Sequence, residues 1–263
     1  MTHAPAPAVT VTALATTPVK GLRVVTVPEL TLDRSGMPDD RRFYLVDDRG
    51  WMVNAKNIGE LSTVVADYAH EQRSLTLTFP GGEVVAGTVE LGEPIDVRFF
   101  SRPARARPLL GAWSQALSDH LGHPLRLVES DGRSGVDRGR GGAVSLISRA
   151  SLAALAHAAG TDGVDARRFR MLVEIDGVAA HEEDAWVGAR VRIGGALVRF
   201  AGHVGRCSIT TRDPESGISD LPTLDILRAY RSGLDTTEPL AFGVYGAVLE
   251  GGAVAVGDAV VPA

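Results

Sequence analysis

The sequence predicts a mainly β fold with short helices, on three observations. Short runs of alternating apolar and polar residues recur along the chain, glycine turns sit between many of them, and only three stretches carry helical apolar spacing. Many short strands divided by glycine turns define a barrel or a sandwich.

The elements follow in order. "VTVTALATT" alternates as a strand; "RRFYLVDDRGWMVNA" is two runs around Asp48-Arg49-Gly50, and "LTLTFPGGEVVAG" is a pair around Gly81-Gly82. "TVELGEPIDVRFF" reads as a further strand pair ending near residue 100, where the texture changes. "GAWSQALSDHLG" then has helical spacing and "PLRLVES" returns to strand. A boundary near residue 100 divides the chain into a β-barrel-like region (8–100) and a second domain (101–263).

In that second part, "AVSLIS" is a strand and "RASLAALAHAA" a helix with Ser148 at its N-cap. "DARRFRMLVEI" is a helical turn entering a strand. "WVGARVRIGGALVRFAGHVGRCSITT" is a strand pair parted at Gly195 and bent near Gly202 and Gly205. "PTLDILRAYR" is a short helix with Pro222 at its start, and "FGVYGAVLEGGAVAVGDAVV" closes with two strands around Gly251-Gly252.

Composition excludes several function classes. A formal charge of -5 argues against broad nucleic-acid binding, and no apolar run approaches the roughly 20 residues of a membrane-spanning helix. The start lacks the basic and apolar blocks of a secretory signal, and one cysteine forms no internal disulfide, so a cytoplasmic protein is expected.

That cysteine, Cys207, lies between Arg206 and Arg212 and could be core filler, a nucleophile or a metal ligand. A Cys/His pair is disfavoured: four residues of strand hold His203 about 13 Å from Cys207. The cations favour thiolate, the form that attacks electrophiles or binds a soft metal. "RRFRM" sets Arg168 and Arg170 on one face if extended, an arrangement suited to an anion. "GRSGVDRGRGG" lacks the ending of a phosphate-binding P-loop; it reads as a surface loop, or else as one where Arg138 and Arg140 approach phosphate.

Seven stretches in series then resemble one family: "PVKG", "DRRFYLVDDRG", "SLISRASLAAL", "RRFRMLVEI", "EEDAW", "GRCSITTRDPESG" and "PLAFGVYGAVLEGGAVAVGD". Together they resemble the MOSC family, in the form with an N-terminal β-barrel region that includes the amidoxime-reducing proteins.

The resemblance implies a MOSC β-barrel fold and molybdenum cofactor (molybdopterin), with Cys207 as metal ligand and catalytic residue. It implies Lys20, Gly21, Arg42, Ser148, Arg149, Arg168, Arg170, Arg206 and Tyr245 as cofactor-binding residues, with Ser148 bonding the phosphate at a helix N-terminus. It also implies reduction of small N-hydroxylated substrates, hydroxylamines or amidoximes.

With no four-cysteine iron-sulfur set, electrons must come from a separate flavoprotein reductase, ferredoxin or cytochrome. Gly21 and Gly205 stand where relatives often have serine, and Leu172 where an amide is frequent. The alternatives are a non-catalytic cofactor or sulfur carrier, and a pyridoxal-phosphate binder using Lys20 or Lys56.

Overall fold

A computed structural model describes residues 8–130 and 139–263, with nothing described of the Arg140 side chain. The expectation for Arg138 and Arg140 therefore lies outside the described residues.

The strands are β1 (Thr10–Thr16), β2 (Val25–Val27), β3 (Glu29–Leu32), β4 (Phe43–Asp47), β5 (Met52–Val53), β6 (Val65–Ala69), β7 (Ser74–Thr78), β8 (Val84–Thr88), β9 (Glu90–Leu91) and β10 (Ile95–Phe99). They continue as β11 (Arg102–Leu110), β12 (Leu125–Ser130), β13 (Val144–Ser148), β14 (Val173–Asp176), β15 (Arg190–Ile193), β16 (Ala196–Gly205), β17 (Ala241–Glu250), β18 (Gly252–Ala255) and β19 (Val260–Pro262). The helices α1 (Trp113–Leu121), α2 (Arg149–Ala159) and α3 (Thr223–Arg231) coincide with the three helical patterns. The protein is mainly β with short helices, as expected.

One sheet has the order β19-β15-β16-β17-β13-β14-β1-β2. β13 and β14 are parallel, and α2 lies in the crossover that parallel neighbours require. β1 buries Val11 and Leu14, three residues apart, because a bulge between Val11 and Ala13 shifts its register on β14. The ends of this sheet meet through an isolated bridge, Thr10 to Ala259, and short backbone hydrogen bonds: the Val260 N–H donates to Val9 O at 2.8 Å, the Val11 N–H to Asp258 O at 2.9 Å and the Gly257 N–H to Val11 O at 2.8 Å. Among the described residues no ladder closes it into a barrel.

A second sheet runs β10-β11-β12-β4-β5, with β9 also on β11, and β6-β7-β8 forms a third. Trp113 of α1 locks their shared core: its indole Nε1–H donates to Leu75 O at 3.1 Å, and it packs among Phe43, Leu45, Leu77 and Leu117. Burial of side chains this size contributes about 1.5–3 kcal/mol each.

One local expectation is corrected. β9 and β10 do not pair with each other; they lie end to end on β11, Leu91 opposite Leu109 and Ile95 opposite Ala106, so Gly92–Pro94 is a jog and not a hairpin turn. The two closing strands, β17 and β18, flank Gly251 as expected; a Cβ there would meet Leu32 O at 2.6 Å, and β18 pairs β3. Phe100 lies at the β10–β11 hairpin tip, with Phe99 opposite Arg102.

Between β1 and β4 the chain passes from the first sheet to the second. Val19 bridges Phe43, and the Lys20 N–H donates to Phe43 O at 2.8 Å. The segment "PVKG" therefore sits at the seam.

Candidate active site at the seam of two sheets

A cleft of about 460 Å³ opens at this seam. The first half contributes Lys20, Gly21, Asp40, Arg41, Asn54, Lys56 and Phe100; the second contributes Ser145, Arg170, Met171, Arg206, Cys207 and Tyr245. Among the described residues, five cationic side chains face one carboxylate, Asp40, which already accepts from the Thr16 hydroxyl at 2.8 Å, the Thr17 N–H at 3.1 Å and Arg41. Such a cleft favours an anion.

Cys207 follows the end of β16 at the mouth. Its backbone is extended, its side chain exposed, and its carbonyl accepts from Thr210 N–H at 3.1 Å and Thr210 Oγ1 at 3.0 Å. The 3-10 turn Ser208–Thr211 thus holds the thiol outward. His203 is buried in β16 as a packing residue, with Nδ1 accepting from Thr237 N–H at 3.4 Å.

Arg206 is fixed beneath the site. Its guanidinium donates to Phe169 O at 3.0 Å and to Phe242 O, contacts Met171 Sδ at 3.0 Å and lies 5.2 Å from the Phe169 ring centroid. It braces the wall and adds positive charge. Arg212 braces the other flank, donating to Gly217 O at 2.8 Å and Lys56 O at 3.4 Å.

Of the residues implied by resemblance, the structure brings Lys20, Gly21, Arg170, Arg206, Cys207 and Tyr245 together. It leaves Arg42, Ser148, Arg149 and Arg168 off the cleft. Arg42 bonds Glu129 at 2.6 Å and Asp39 at 3.3 Å over the Tyr68 ring; burial works against its charge and Glu129 more than offsets that, raising its pKa. Arg149 is exposed, 3.6 Å from Glu174.

Ser148 is the α2 N-cap, as expected, but it is fully buried. Its hydroxyl accepts from Ser151 N–H at 3.1 Å and donates to Glu183 Oε2 at 2.9 Å, while the Ser148 N–H donates to Glu183 Oε1 at 3.1 Å. The anion at this helix N-terminus is the protein's own buried Glu183, which leaves no place for a phosphate.

The helical turn expected to enter a strand in "DARRFRMLVEI" is present, so the one-face arrangement that an extended "RRFRM" would give is absent. Ala166–Phe169 is a 3-10 turn and Arg170 has φ 54°, so the two arginines diverge. Arg168 forks onto Asp220 with two bonds of 2.6 Å, whereas Arg170 turns to the cleft and donates to Leu22 O at 2.8 Å.

Sequence reasoning missed Arg41, beside Arg42 in "DRR". Its φ is 53°, its N–H donates to Thr17 O at 2.7 Å and its Nη2 donates to Arg170 O at 2.7 Å, joining the halves across the cleft. Residue alternation could have flagged that only one of the pair faces inward, but not which. Phe100, half exposed at φ 55°, stands over Lys20 with 5.5 Å from Nζ to ring centroid.

The three departures also have places. Gly21 has φ +97°, a conformation serine adopts with strain; Gly205 lies where a Cβ would meet Glu238 Cβ at 3.0 Å and Pro239 O at 3.1 Å. Leu172 is buried in the core under the sheet, and it is Met171 that reaches the cleft.

Among the described residues no group of three or more His, Cys, Asp or Glu is placed to hold a metal ion. A metal at Cys207 would need its other ligands from a bound group. No described helix is long and apolar enough to cross a membrane.

Fold and site define a two-part β protein with one exposed thiol in a cationic cleft. Residues 8–124 match the MOSC N-terminal beta barrel domain and residues 131–261 the MOSC domain, and the chain belongs to the MOSC family.

Among curated relatives, mitochondrial amidoxime-reducing component 1 of Xenopus laevis is 27% identical, covering 92% of this chain and 79% of its own length. Mitochondrial amidoxime reducing component 2 of Rattus norvegicus is 27% identical over 92% and 80%. Among solved structures, the YUAD protein from Bacillus subtilis covers 97% of this chain and 94% of its own, at 12% identity and a TM-score of 0.45.

Proposed function

We propose that this protein is a molybdenum-cofactor enzyme that reduces N-hydroxylated compounds, amidoximes and hydroxylamines, using electrons from a separate protein. The observation that carries the reading is the exposed Cys207 thiol in a cleft where, among the described residues, five cations face one satisfied carboxylate. That donor set fits the cofactor: a soft thiolate for the metal, guanidinium and ammonium groups for phosphate and dithiolene charge. The relatives' names supply the substrate class.

In this reading Cys207 Sγ ligates the metal, and Lys20, Arg41 and Arg170 bind the anionic parts of the cofactor from both halves. Bound there, the cofactor supplies a two-electron centre for N–O bond cleavage. Arg206 keeps the wall below Cys207 rigid through its carbonyl contacts, and Tyr245 on β17 would line the cofactor's place in the cleft. Phe100 narrows the mouth and excludes water from the charges beneath it.

The balanced reaction is R–NH–OH + 2 electrons + 2 protons → R–NH2 + H2O. A single cysteine that forms no internal disulfide suits a reducing compartment, which supports the cytoplasmic expectation.

Molybdenum content of wild type and Cys207→Ala, purified from a host that makes the cofactor, tests this reading together with benzamidoxime reduction by reduced methyl viologen. About one metal per chain and turnover in wild type, with both reduced at least tenfold in the variant, is expected. Metal without turnover would leave a cofactor carrier, and absence of metal from a folded wild type would overturn the reading.

A further inference from the structure

We infer that Lys56 recognises a carboxylate on the substrate, so that the preferred substrates are N-hydroxylated compounds that also carry a carboxylic acid. The inference rests on the reading above and narrows its substrate class.

The five cations of the cleft are not equivalent. Arg41 is engaged by Asp40 and by Arg170 O, Arg170 by Leu22 O, and Arg206 by the carbonyls of Phe169 and Phe242. Lys20 is half-buried, with the Phe100 ring over its ammonium. Lys56 lines the same cleft but is exposed, and among the described residues no carboxylate pairs with its ammonium.

Its place is fixed through its backbone. Asn54 shapes the turn: its Oδ1 accepts the Lys56 N–H at 2.9 Å, and its carbonyl accepts the N–H groups of Asn57 at 3.0 Å and Ile58 at 3.2 Å. The Lys56 carbonyl accepts from Arg212 Nη2 at 3.4 Å, and the same guanidinium donates to Gly217 O at 2.8 Å. Gly59 and Gly217 approach so closely that neither has room for a Cβ, and Ile58 and Ile209 pack against one core. The turn that carries Lys56 is thus fastened to the segment that follows Cys207. A cation without a counter-ion, mounted rigidly beside the exposed thiol, is arranged for a ligand that arrives at the mouth.

Two arguments set the chemistry of that ligand. The cations assigned to the cofactor, Lys20, Arg41 and Arg170, are half-buried, whereas Lys56 is exposed as Cys207 is, on the side from which a substrate approaches a metal held by that thiol. A single ammonium neutralises a single negative charge, which matches a carboxylate; a phosphate dianion would keep one charge uncompensated and is better suited to guanidinium forks. The neighbouring cations of the cleft add to the attraction.

The test compares benzamidoxime with its 3-carboxy and 4-carboxy derivatives, reduced by methyl viologen radical, in wild type, Lys56→Gln, Lys56→Arg and Lys56→Glu. Wild type should show at least fivefold higher kcat/KM for the better carboxylated isomer than for benzamidoxime, through a lower KM. Lys56→Gln should lose that preference, Lys56→Arg keep it and Lys56→Glu reverse it. Calorimetry of the same isomer on oxidised, cofactor-loaded protein, which has no electrons to turn it over, reads binding without activity. Its Kd should rise at least fivefold in Lys56→Gln, and rise in wild type between low and 200 mM salt.

Thermal unfolding and molybdenum content accompany each variant. Absence of a preference in wild type, or the same preference in Lys56→Gln, overturns the proposal. So does loss of molybdenum from folded Lys56→Gln, which would make Lys56 a cofactor anchor, and so does an equal fall in kcat on all three substrates, which would make it a proton donor. Failure of metal-loaded wild type to reduce any of the three would instead sink the enzymatic reading, and the calorimetry would still decide whether Lys56 binds the carboxylate.

Discussion

The Nη2 of Arg41 donates to the carbonyl of Arg170 at 2.7 Å, so a residue from the first half of the chain is tied to one from the second across the mouth of the cleft. Both side chains line that cleft, whereas Arg42, one residue on, is paired with Glu129 and Asp39 outside it. Arg41→Ala is therefore expected to lower bound molybdenum at least fivefold. Arg42→Ala should keep its metal and lose stability by about 1–3 kcal/mol, since Glu129 is left without its cation. Elemental analysis beside urea unfolding separates them; equal metal loss in both would return the anchoring role to Arg42.

Ser148 makes a contrasting case. Its hydroxyl caps α2 and holds the buried Glu183 carboxylate, so Ser148→Ala should cost about 2–3 kcal/mol in urea unfolding without changing metal content. A stable variant with depleted metal would mean that phosphate does reach this helix end.

His181 gives the stability a pH dependence. Burial first, and then the neighbouring Arg231 cation, lower its pKa from 6.5 to about 4, and its Nε2 is buried without a partner. The folded state thus binds fewer protons than the unfolded state between these values. The stabilisation is fully present above pH 6.5 and is lost as pH falls toward 4. Because the ring is partly solvent-exposed, the contribution is about 1–2 kcal/mol, less than the full shift. Thermal unfolding from pH 7 to 4 should show a shallower decline in His181→Gln than in wild type; parallel curves would contradict this account.

Gly205 accommodates the close approach of Glu238 and Pro239 to the end of β16. Gly205→Ser should destabilise the protein by about 1–3 kcal/mol, because the added Cβ crowds the Glu238 side chain and Pro239 O. Differential scanning calorimetry checks it, and an unchanged melting temperature would show that this segment yields freely.

The cleft itself was partly legible in the sequence. Lys20, Arg170, Cys207 and Tyr245 were found because short motifs keep residue types at fixed spacing, and those four meet in space. Arg42 was preferred to Arg41 because adjacent residues of a motif look alike until a register decides which one points inward. Arg168 shares its motif with Arg170, but a 3-10 turn and a left-handed residue divide the two arginines, and motif spacing alone does not show which of them turns to the cleft.

The sequence by itself determined the mainly β class, all three helices, the Ser148 cap and the bends of β16, because these follow from periodicity, capping and glycine within a dozen residues. Tertiary structure alone decided that β1 joins the far end of the chain, that β9 and β10 share β11, that Glu183 fills the helix end meant for a phosphate, and that the cleft lies at a seam. The physical reason is the same for each: strand pairing and charge neutralisation are settled between groups distant in sequence, where local pattern constrains neither register nor partner.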